Sequence, residues 1–264
     1  MKLNSRSKAW AALVIAIVLA LTGALIAWFS PADAGKTPPV ATKVAEATAK
    51  KPAPAAADKA FDFYLMALTV HSAFCADGHS RKQECRTSGH RPLVIHGLWP
   101  ERNEPRAYPR DCPAPPLELD TALTQRLEDF MPGMSDGLHQ HEWRRHGGCS
   151  GLDDDDYFRH ALDLARGVDA ALSARLATLA GEETSAVALR EIADLFQPGL
   201  GVTLTFHCRT LRDAPSAQPH LVEVRQCVDN DGPNGAPQTP LDCASVKRRD
   251  QGCGQHFRIA RMRG

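Results

Sequence analysis

Two short segments of this sequence bring histidine together with tryptophan. Residues 95–100 read IHGLWP, and residues 141–149 read HEWRRHGGC. An imidazole group has an ordinary pKa of about 6.5, so it can accept or release a proton near neutral pH. Two separate histidine segments are therefore typical of an acid and base pair. They predict a hydrolytic or transfer reaction that needs no metal ion.

The second segment lacks the spacing of a zinc protease. His141 and His146 are five residues apart, whereas His-Glu-x-x-His places its histidines one residue closer so that both reach one zinc ion. On a helix, Glu142 and His146 would instead share one face. We also expect no serine nucleophile of the Gly-x-Ser-x-Gly type. A cysteine nucleophile is not expected either, because an even number of cysteines in an oxidising compartment favours bridges. The sequence therefore predicts a site with neither metal nor cofactor.

The first 60 residues differ in composition from the rest. Basic residues precede an uncharged apolar run over 10–29, and small residues at 32 and 34 form a candidate cleavage site. Residues 1–34 are predicted to be a signal peptide or, alternatively, an inner-membrane anchor formed by residues 10–29. Residues 35–60, rich in Ala, Pro and Lys, are predicted to be a linker. Residues 61–264 are predicted to form the folded domain.

All eight cysteines lie in residues 61–264, and none is part of a Cys-x-x-Cys pair. An even number of cysteines in an exported chain favours four disulfides over a structural zinc site. The predicted location is accordingly periplasmic or secreted, with an anchored form facing the periplasm as the alternative. The spacing alone leaves many cysteine pairings open.

The formal net charge of zero conceals a difference between the two parts of the chain. Residues 1–60 hold eight of the 31 Lys and Arg and three of the 31 Asp and Glu, which leaves 23 basic against 28 acidic residues in 61–264. A mildly acidic domain neutralises few phosphates, so any nucleic-acid contact should be local. This charge favours an enzyme over a protein that coats nucleic acid.

The hydrophobic pattern predicts an α+β fold. Apolar residues indicate strands over 61–70, 92–95, 202–206, 221–228 and 257–262, and helical spacing indicates helices over 119–130, 138–146, 157–179 and 187–196. The four aspartates at 153–156 are interpreted as N-terminal charges of the third helix rather than as a calcium loop. We expect an antiparallel β-sheet with packed helices in a disulfide-bonded single domain.

Each motif residue also has a purely structural interpretation. His96 could cap a strand, and His146 could lie at a helix C-terminus, where a positive charge is favourable. Trp99 and Trp143 could belong to the core, and Arg145 could be a solvated charge. The combination of all these residues in two motifs is what favours a catalytic interpretation.

At these residues the chain resembles the ribonuclease T2 family of secreted, transferase-type endoribonucleases. Residues 96–100 match the family motif His-Gly-Leu-Trp-Pro in full. Residues 141–149 match His-Glu-Trp-x-Lys-His-Gly-x-Cys, except that Arg145 stands where Lys is usual. Residues 61–64 and the following Cys75 are similar to the start of the family's domain, so the resemblance covers about residues 61–264.

The resemblance implies roles for the motif residues in cleaving single-stranded RNA through a 2′,3′-cyclic phosphate to 3′-phosphate ends, without base specificity. His146 would be the general base and His96 the general acid. The phosphate would be bound or polarised by Glu142, Arg145 and His141. A base would stack on Trp99, with Glu101 and Tyr108 as weaker candidates for the same pocket.

The resemblance also implies the disulfide pairs Cys75–Cys85, Cys112–Cys149, Cys208–Cys253 and Cys227–Cys243. DNA should not be cleaved, because it lacks the 2′-hydroxyl that would act as nucleophile, and the protein is expected to be a monomer. The alternative from another functional class is an exported RNA-binding or toxin-like protein of the same fold without turnover. Retention of both histidines and Glu142 argues against that alternative.

Overall fold

A computed structural model of the chain describes residues 61–87, 91–104, 108–214 and 216–261. The predicted signal peptide or anchor at 1–34 and the predicted linker at 35–60 lie outside these residues. Within the described part of the chain, no helix has the length and apolar character needed to cross a membrane.

Six strands form one sheet around β1, Phe63–Val70. This strand pairs antiparallel with β2, Leu93–Glu101, on one side and with β5, His220–Val228, on the other. The other strands are β3, Glu183–Thr184; β4, Leu204–Arg209; and β6, Phe257–Arg258. Strand β4 is antiparallel to β5, and β6 is parallel to β5 at one residue pair. Strand β3 is antiparallel to β6. The α+β prediction is confirmed. The last strand was predicted over 257–262 but is limited to two residues.

The described residues form five α-helices beside the sheet. They are α1, His71–Phe74; α2, Thr121–Glu128; α3, Leu138–Arg145; α4, Asp154–Thr178; and α5, Ala186–Phe196. Asp153 caps α4 by accepting a hydrogen bond from the backbone N–H of Asp156, and the other three aspartates lie in the first turn of the helix. Carboxylates are favoured there because the unpaired N–H groups carry partial positive charge. The interpretation of the four aspartates is thus confirmed.

The two faces of the sheet have different surroundings. Alternate residues of β1, including Met66 and Leu68, face the main apolar core, which also contains Tyr157 and Phe158 of α4. Burying a side chain of this size contributes roughly 1.5–3 kcal/mol, so this face holds the domain together. The opposite face begins with a small apolar cluster around Leu65 and then becomes polar along β2 and β5.

A β-bulge places the first motif on the polar face. Ala67 of β1 lies opposite Gly97 and Leu68 lies opposite Ile95, so His96 is an extra, unpaired residue in β2. Residues three apart in a regular strand point to opposite faces, because side chains alternate. The bulge cancels this alternation, and the rings of His96 and Trp99 meet with their centroids 5.0 Å apart.

Four disulfides join all eight cysteines. The pairs are Cys75–Cys85, Cys112–Cys149, Cys208–Cys253 and Cys227–Cys243, as the family resemblance implies. The second pair connects the loop after β2 to the 3-10 turn Gly147–Cys149 that directly follows α3. This disulfide therefore holds the loop after β2 against the end of the second motif.

Candidate active site

The two motif histidines both lie close to Trp99. The Trp99 ring centroid is 5.0 Å from that of His96 and 5.6 Å from that of His146. His96 comes from the bulge in β2, and His146 comes from the residue after α3. The structure thus brings two residues that are far apart in sequence to the same aromatic ring.

Helix α3 is one residue shorter than the sequence predicts. It ends at Arg145, and His146 has φ −126°, outside the helical range. His146 keeps one helical hydrogen bond, donating its backbone N–H to the carbonyl of Glu142 at 2.9 Å. The prediction that Glu142 and His146 share one face of a continuous helix is therefore wrong in detail. The turn into Gly147 redirects His146 towards Trp99.

Glu142 is buried against the first motif. Trp99 donates its indole N–H to Oε2 of Glu142 at 2.9 Å. A side chain at Gly97 would collide with that carboxylate and with the indole nitrogen, so only glycine permits this approach. Burial raises the pKa of Glu142, although the charge of His96 and the hydrogen bond from Trp99 oppose the increase.

The two histidines have pKa values that shift in opposite directions. Burial lowers the pKa of His146 to about 4, and the positive charges of Arg145 and His141 act in the same direction. Its buried Nδ1 has no hydrogen-bond partner among the described residues, which disfavours a protonated ring. Burial alone would also lower the pKa of His96, but Glu223 outweighs burial and the net shift is upward. The shift of the His146 pKa favours the neutral imidazole, and the shift of the His96 pKa favours the protonated one.

Glu223 of β5 is a site residue that the sequence reasoning missed. Its Oε1 lies 2.7 Å from Nδ1 of His96, and its Oε2 lies 2.5 Å from Nη2 of Arg225. The guanidinium carbon of Arg225 lies 5.5 Å from the centre of the Trp99 ring. The available signal was the pair of charged residues at alternate positions of the otherwise largely apolar segment LVEVRQCV, residues 221–228.

The remaining predicted site residues are only partly brought together. Tyr108 lies beside His146, with ring centroids 6.3 Å apart. Arg145 forms an ion pair with Asp111 that remains partly open to solvent. Glu101 lies further along β2, where Arg248 binds its carboxylate at 2.8 Å. This ion pair occupies Glu101 and weakens its candidacy for a base pocket.

A cleft extends past His96 in two directions. One cavity of about 420 Å³ is lined by His96, His141 and Phe74, and an adjoining cavity of about 340 Å³ is lined by His96, Trp99 and Glu223. Both volumes lie in the range of small-ligand sites. His96 is the catalytic candidate common to both, so a bound molecule could extend on either side of it.

Two alternative kinds of chemistry find little support here. Residues 133–137 read GMSDG and match Gly-x-Ser-x-Gly, but Ser135 lies in a 3-10 turn and donates its hydroxyl to the carbonyl of Pro132. A serine hydrolase would hold its nucleophile on a strand-to-helix turn. Among the described residues, His71, Cys75 and Cys85 have metal-ligand atoms close together, but the two sulfurs are joined in a disulfide.

The structure is a disulfide-bonded α+β fold in which two histidines with opposite pKa shifts and a buried carboxylate lie around Trp99. The family model described as the ribonuclease T2 family matches residues 61–243, and the chain belongs to this family.

Relatives of known sequence come from bacteria and plants. A ribonuclease of Aeromonas hydrophila is 38% identical over 39% of this chain and 45% of its own length. Ribonuclease 1 of Arabidopsis thaliana is 28% identical over 65% of this chain and 77% of its own length. Ribonuclease I of Escherichia coli is 31% identical over 37% of this chain and 50% of its own length. The chain thus spans about half the length of the two bacterial relatives.

Solved structures share the fold. A variant of RNase MC1 in complex with 5′-UMP has a TM-score of 0.55 and 25% identity, and the similarity covers 75% of this chain and 97% of that one. RNase NT in complex with 5′-AMP has a TM-score of 0.57 at 21% identity, covering 76% of this chain and 98% of that one. The second likeness concerns the fold alone.

Proposed function

We propose that this protein is a base-nonspecific endoribonuclease that cleaves single-stranded RNA through a 2′,3′-cyclic phosphate to 3′-phosphate ends. The observation that carries the proposal is that His96 and His146, which both lie close to Trp99, have pKa values shifted in opposite directions. Family membership and relatives named as ribonucleases support the same reaction.

In the first step, neutral His146 takes the proton of the ribose 2′-hydroxyl. The 2′-oxygen then forms a bond to phosphorus, and the bond from phosphorus to the 5′-oxygen breaks with its electron pair on that oxygen. Protonated His96 gives its proton to the leaving 5′-oxygen. In the second step the roles reverse. Neutral His96 accepts a proton from a water molecule whose oxygen forms a bond to phosphorus, the bond from phosphorus to the 2′-oxygen breaks, and His146 returns its proton to that oxygen, which leaves a 3′-phosphate.

Three further side chains would stabilise the phosphate as negative charge develops on it. Burial favours the protonated form of Glu142, which can donate a hydrogen bond to a phosphate oxygen. Arg145 keeps N–H groups beyond those used by Asp111, and an exposed ion pair of this kind is weak. His141 lines the same cavity as His96 and would contribute a third contact.

Base stacking would account for the lack of base preference. Trp99 and Tyr108 offer aromatic surface near His146, with ring centroids 5.6 and 6.3 Å from that of the imidazole. Every nucleobase has a π-face, so stacking tolerates any base. Glu101 would contact a base only if its ion pair with Arg248 were broken.

The decisive experiment separates turnover from binding. We expect the purified protein to convert single-stranded RNA to products with 2′,3′-cyclic phosphate ends, and to leave matched DNA intact. His96→Ala and His146→Ala should each lose about 100-fold or more in rate, the usual contribution of a general acid or base. His256→Ala is the matched control, because His256 pairs with Glu183 outside the motifs. A shift of RNA on a gel without cleavage would support the alternative of an RNA-binding or toxin-like protein.

Metal independence is a separate part of the proposal. Two imidazoles suffice for both proton transfers, so excess EDTA should leave the rate unchanged. A loss of cleavage that added zinc restores would contradict the mechanism.

We also propose a periplasmic or secreted location and a monomeric state. The four disulfides support an oxidising compartment. The mass of the mature protein would distinguish a cleaved signal peptide from an anchor at residues 10–29, and light scattering would test the monomer.

A further inference from the structure

We propose that Glu223 is a positioning residue for His96, which fixes the orientation of the imidazole ring and keeps it protonated until the leaving oxygen needs the proton. This inference rests on the proposed function and deepens it. Glu223 lies outside both sequence motifs, 127 residues after His96 in the chain.

The first support is the geometry across the sheet. His96 and Glu223 lie on β2 and β5, the two strands that flank β1. Neighbouring strands are about 4.8 Å apart, so their side chains must bridge roughly 10 Å over β1. Each residue lies at a β-bulge, where a strand is locally irregular. His96 is the extra residue of β2 in its pairing with β1, and Val222, next to Glu223, is the extra residue of β5 in its pairing with β4. The resulting Nδ1 to Oε1 distance is 2.7 Å.

The contact leaves the other ring nitrogen available for chemistry. Because Glu223 accepts the hydrogen bond of Nδ1, the proton that reaches a substrate must come from Nε2. The side chain of His96 remains 39% exposed, and that of Glu223 is 9% exposed. The ring is therefore enclosed on the side of Glu223 and open on the side of the cleft.

The second support is the set of groups that keeps Glu223 ionised. Arg225 donates its Nε–H to Oε2 of Glu223 at 2.6 Å, and its Nη2 lies 2.5 Å from the same oxygen in an ion pair. His207 of β4 lies 3.9 Å from the same oxygen. Burial by itself would raise the pKa of Glu223, but these partners and His96 lower it well below the usual carboxylate value. The carboxylate therefore attracts the proton of His96 without removing it.

Other ionisable groups also face His96 from the elements around it. They are Arg225 of β5, His207 of β4, Glu142 and His141 of α3, His146 after α3, and His79 from the turn after α1. Burial and Arg225 lower the pKa of His96, while Glu142 raises it through charge without a hydrogen bond among those described. Glu223 is therefore the group whose removal should release the proton.

The test is Glu223→Gln in the purified full-length chain. We would measure kcat/KM on a dinucleoside monophosphate across the pH range. The alkaline limb should move to lower pH, so that the rate on that side falls about tenfold or more, corresponding to a one-unit displacement. The acid limb, which His146 sets, should stay in place. Glu183→Gln is the matched control, because it removes a carboxylate paired with histidine elsewhere in the same sheet.

A titration without substrate gives an independent readout. The ring resonances of His96, followed by NMR in the full-length chain, should titrate at lower pH in Glu223→Gln than in the wild type. If the single variant unfolds because Arg225 loses its partner, the double variant Glu223→Gln with Arg225→Gln removes both charges. It should show a displacement in the same direction but smaller, because Arg225 itself lowers the pKa of His96.

Two results would overturn the inference. One is an equal loss of rate at all pH values with both limbs in place, which is what a merely structural role would produce. The other is an unchanged His96 titration. A wild-type protein that fails to cleave RNA would refute the proposed function instead, and the titration would still decide the role of Glu223.

Discussion

His96 and His146 carry the same side chain in two different electrostatic settings. His146 is surrounded by cationic groups and has a buried nitrogen without a partner, whereas His96 contacts a carboxylate that two other groups hold ionised. Desolvation acts on both rings in the same direction. The opposite directions of the two pKa shifts therefore come from the charge of the neighbours and not from burial.

The pH dependence of cleavage follows from these shifts. His146 must be neutral to act as base, and its lowered pKa of about 4 means that the rate falls only as the pH drops through about 4. His96 must be protonated, and its raised pKa moves the alkaline limb above the ordinary value of about 6.5. We expect a broad bell in kcat/KM on a dinucleotide, described by macroscopic constants because the rings interact. An acid limb at the ordinary histidine value would contradict the burial of His146.

Gly97 should be required at the site for steric reasons. In Gly97→Ala the new methyl group would displace the Glu142 carboxylate or the Trp99 ring. A displacement of about 1 Å can reduce a rate by about 100-fold, so we expect a loss of that order with a modest change in melting temperature. Gly167→Ala is the control, since its methyl group meets nothing within 4 Å and alanine favours the helix. Normal kcat/KM in Gly97→Ala would show that the Trp99 to Glu142 contact is dispensable.

At the scale of elements, the loop after β2 holds the end of α3. The backbone N–H of Asp111 donates to the carbonyl of Arg145 at 2.9 Å, and the indole N–H of Trp143 donates to the carbonyl of Pro115 at 2.8 Å. The disulfide Cys112–Cys149 closes the same junction. These contacts place His146 where a helix alone would not, because the chain leaves the helical conformation at that residue.

Removing the Cys112–Cys149 bridge should affect activity as well as stability. We expect the double serine variant to lose ~2–4 kcal/mol of unfolding free energy and to lose kcat while still folded, because His146 becomes less well placed. The double serine variant of Cys208–Cys253 is the control, since its sequence separation of 45 is close to the 37 of the first pair. It should lose similar stability and retain kcat. Equal kcat losses in both variants, measured well below their melting temperatures, would show that the first bridge has no special role at the site.

At the scale of the molecule, the acidic balance of residues 61–264 limits how RNA can be held. With 23 basic against 28 acidic residues, this part of the chain has no excess of positive charge to attract many phosphates. Binding must therefore come mainly from the cleft around His96.

The salt dependence of cleavage should accordingly be shallow. With about two phosphates neutralised, each contributing ~0.7 to the slope for a single strand, a fourfold rise in salt should lower kcat/KM by about tenfold or less. A dinucleoside monophosphate and a long single strand should give similar slopes. A much steeper slope for the long strand would reveal an extended phosphate-binding surface.

Local sequence was sufficient for the features that depend on neighbouring residues. The aspartates at 153–156 predict the start of α4 because capping involves groups within one turn. The motif residues His96, Trp99, Glu142 and His146 identify the site because their types and order are those of a known family. The position of Glu223 could not be predicted in this way, since its partner lies on a strand that only the sheet order brings near.

By itself, the sequence determined the family, the fold class and the choice of His96 and His146 as candidate site residues, because each of these depends only on residue types and short spacings. The tertiary structure alone decided which charges surround each ring, that α3 ends before His146, that a bulge brings His96 onto the face of Trp99, and that Arg248 binds Glu101. The physical reason is that pKa values and side-chain partners depend on distances across the fold, and chain position does not specify those distances.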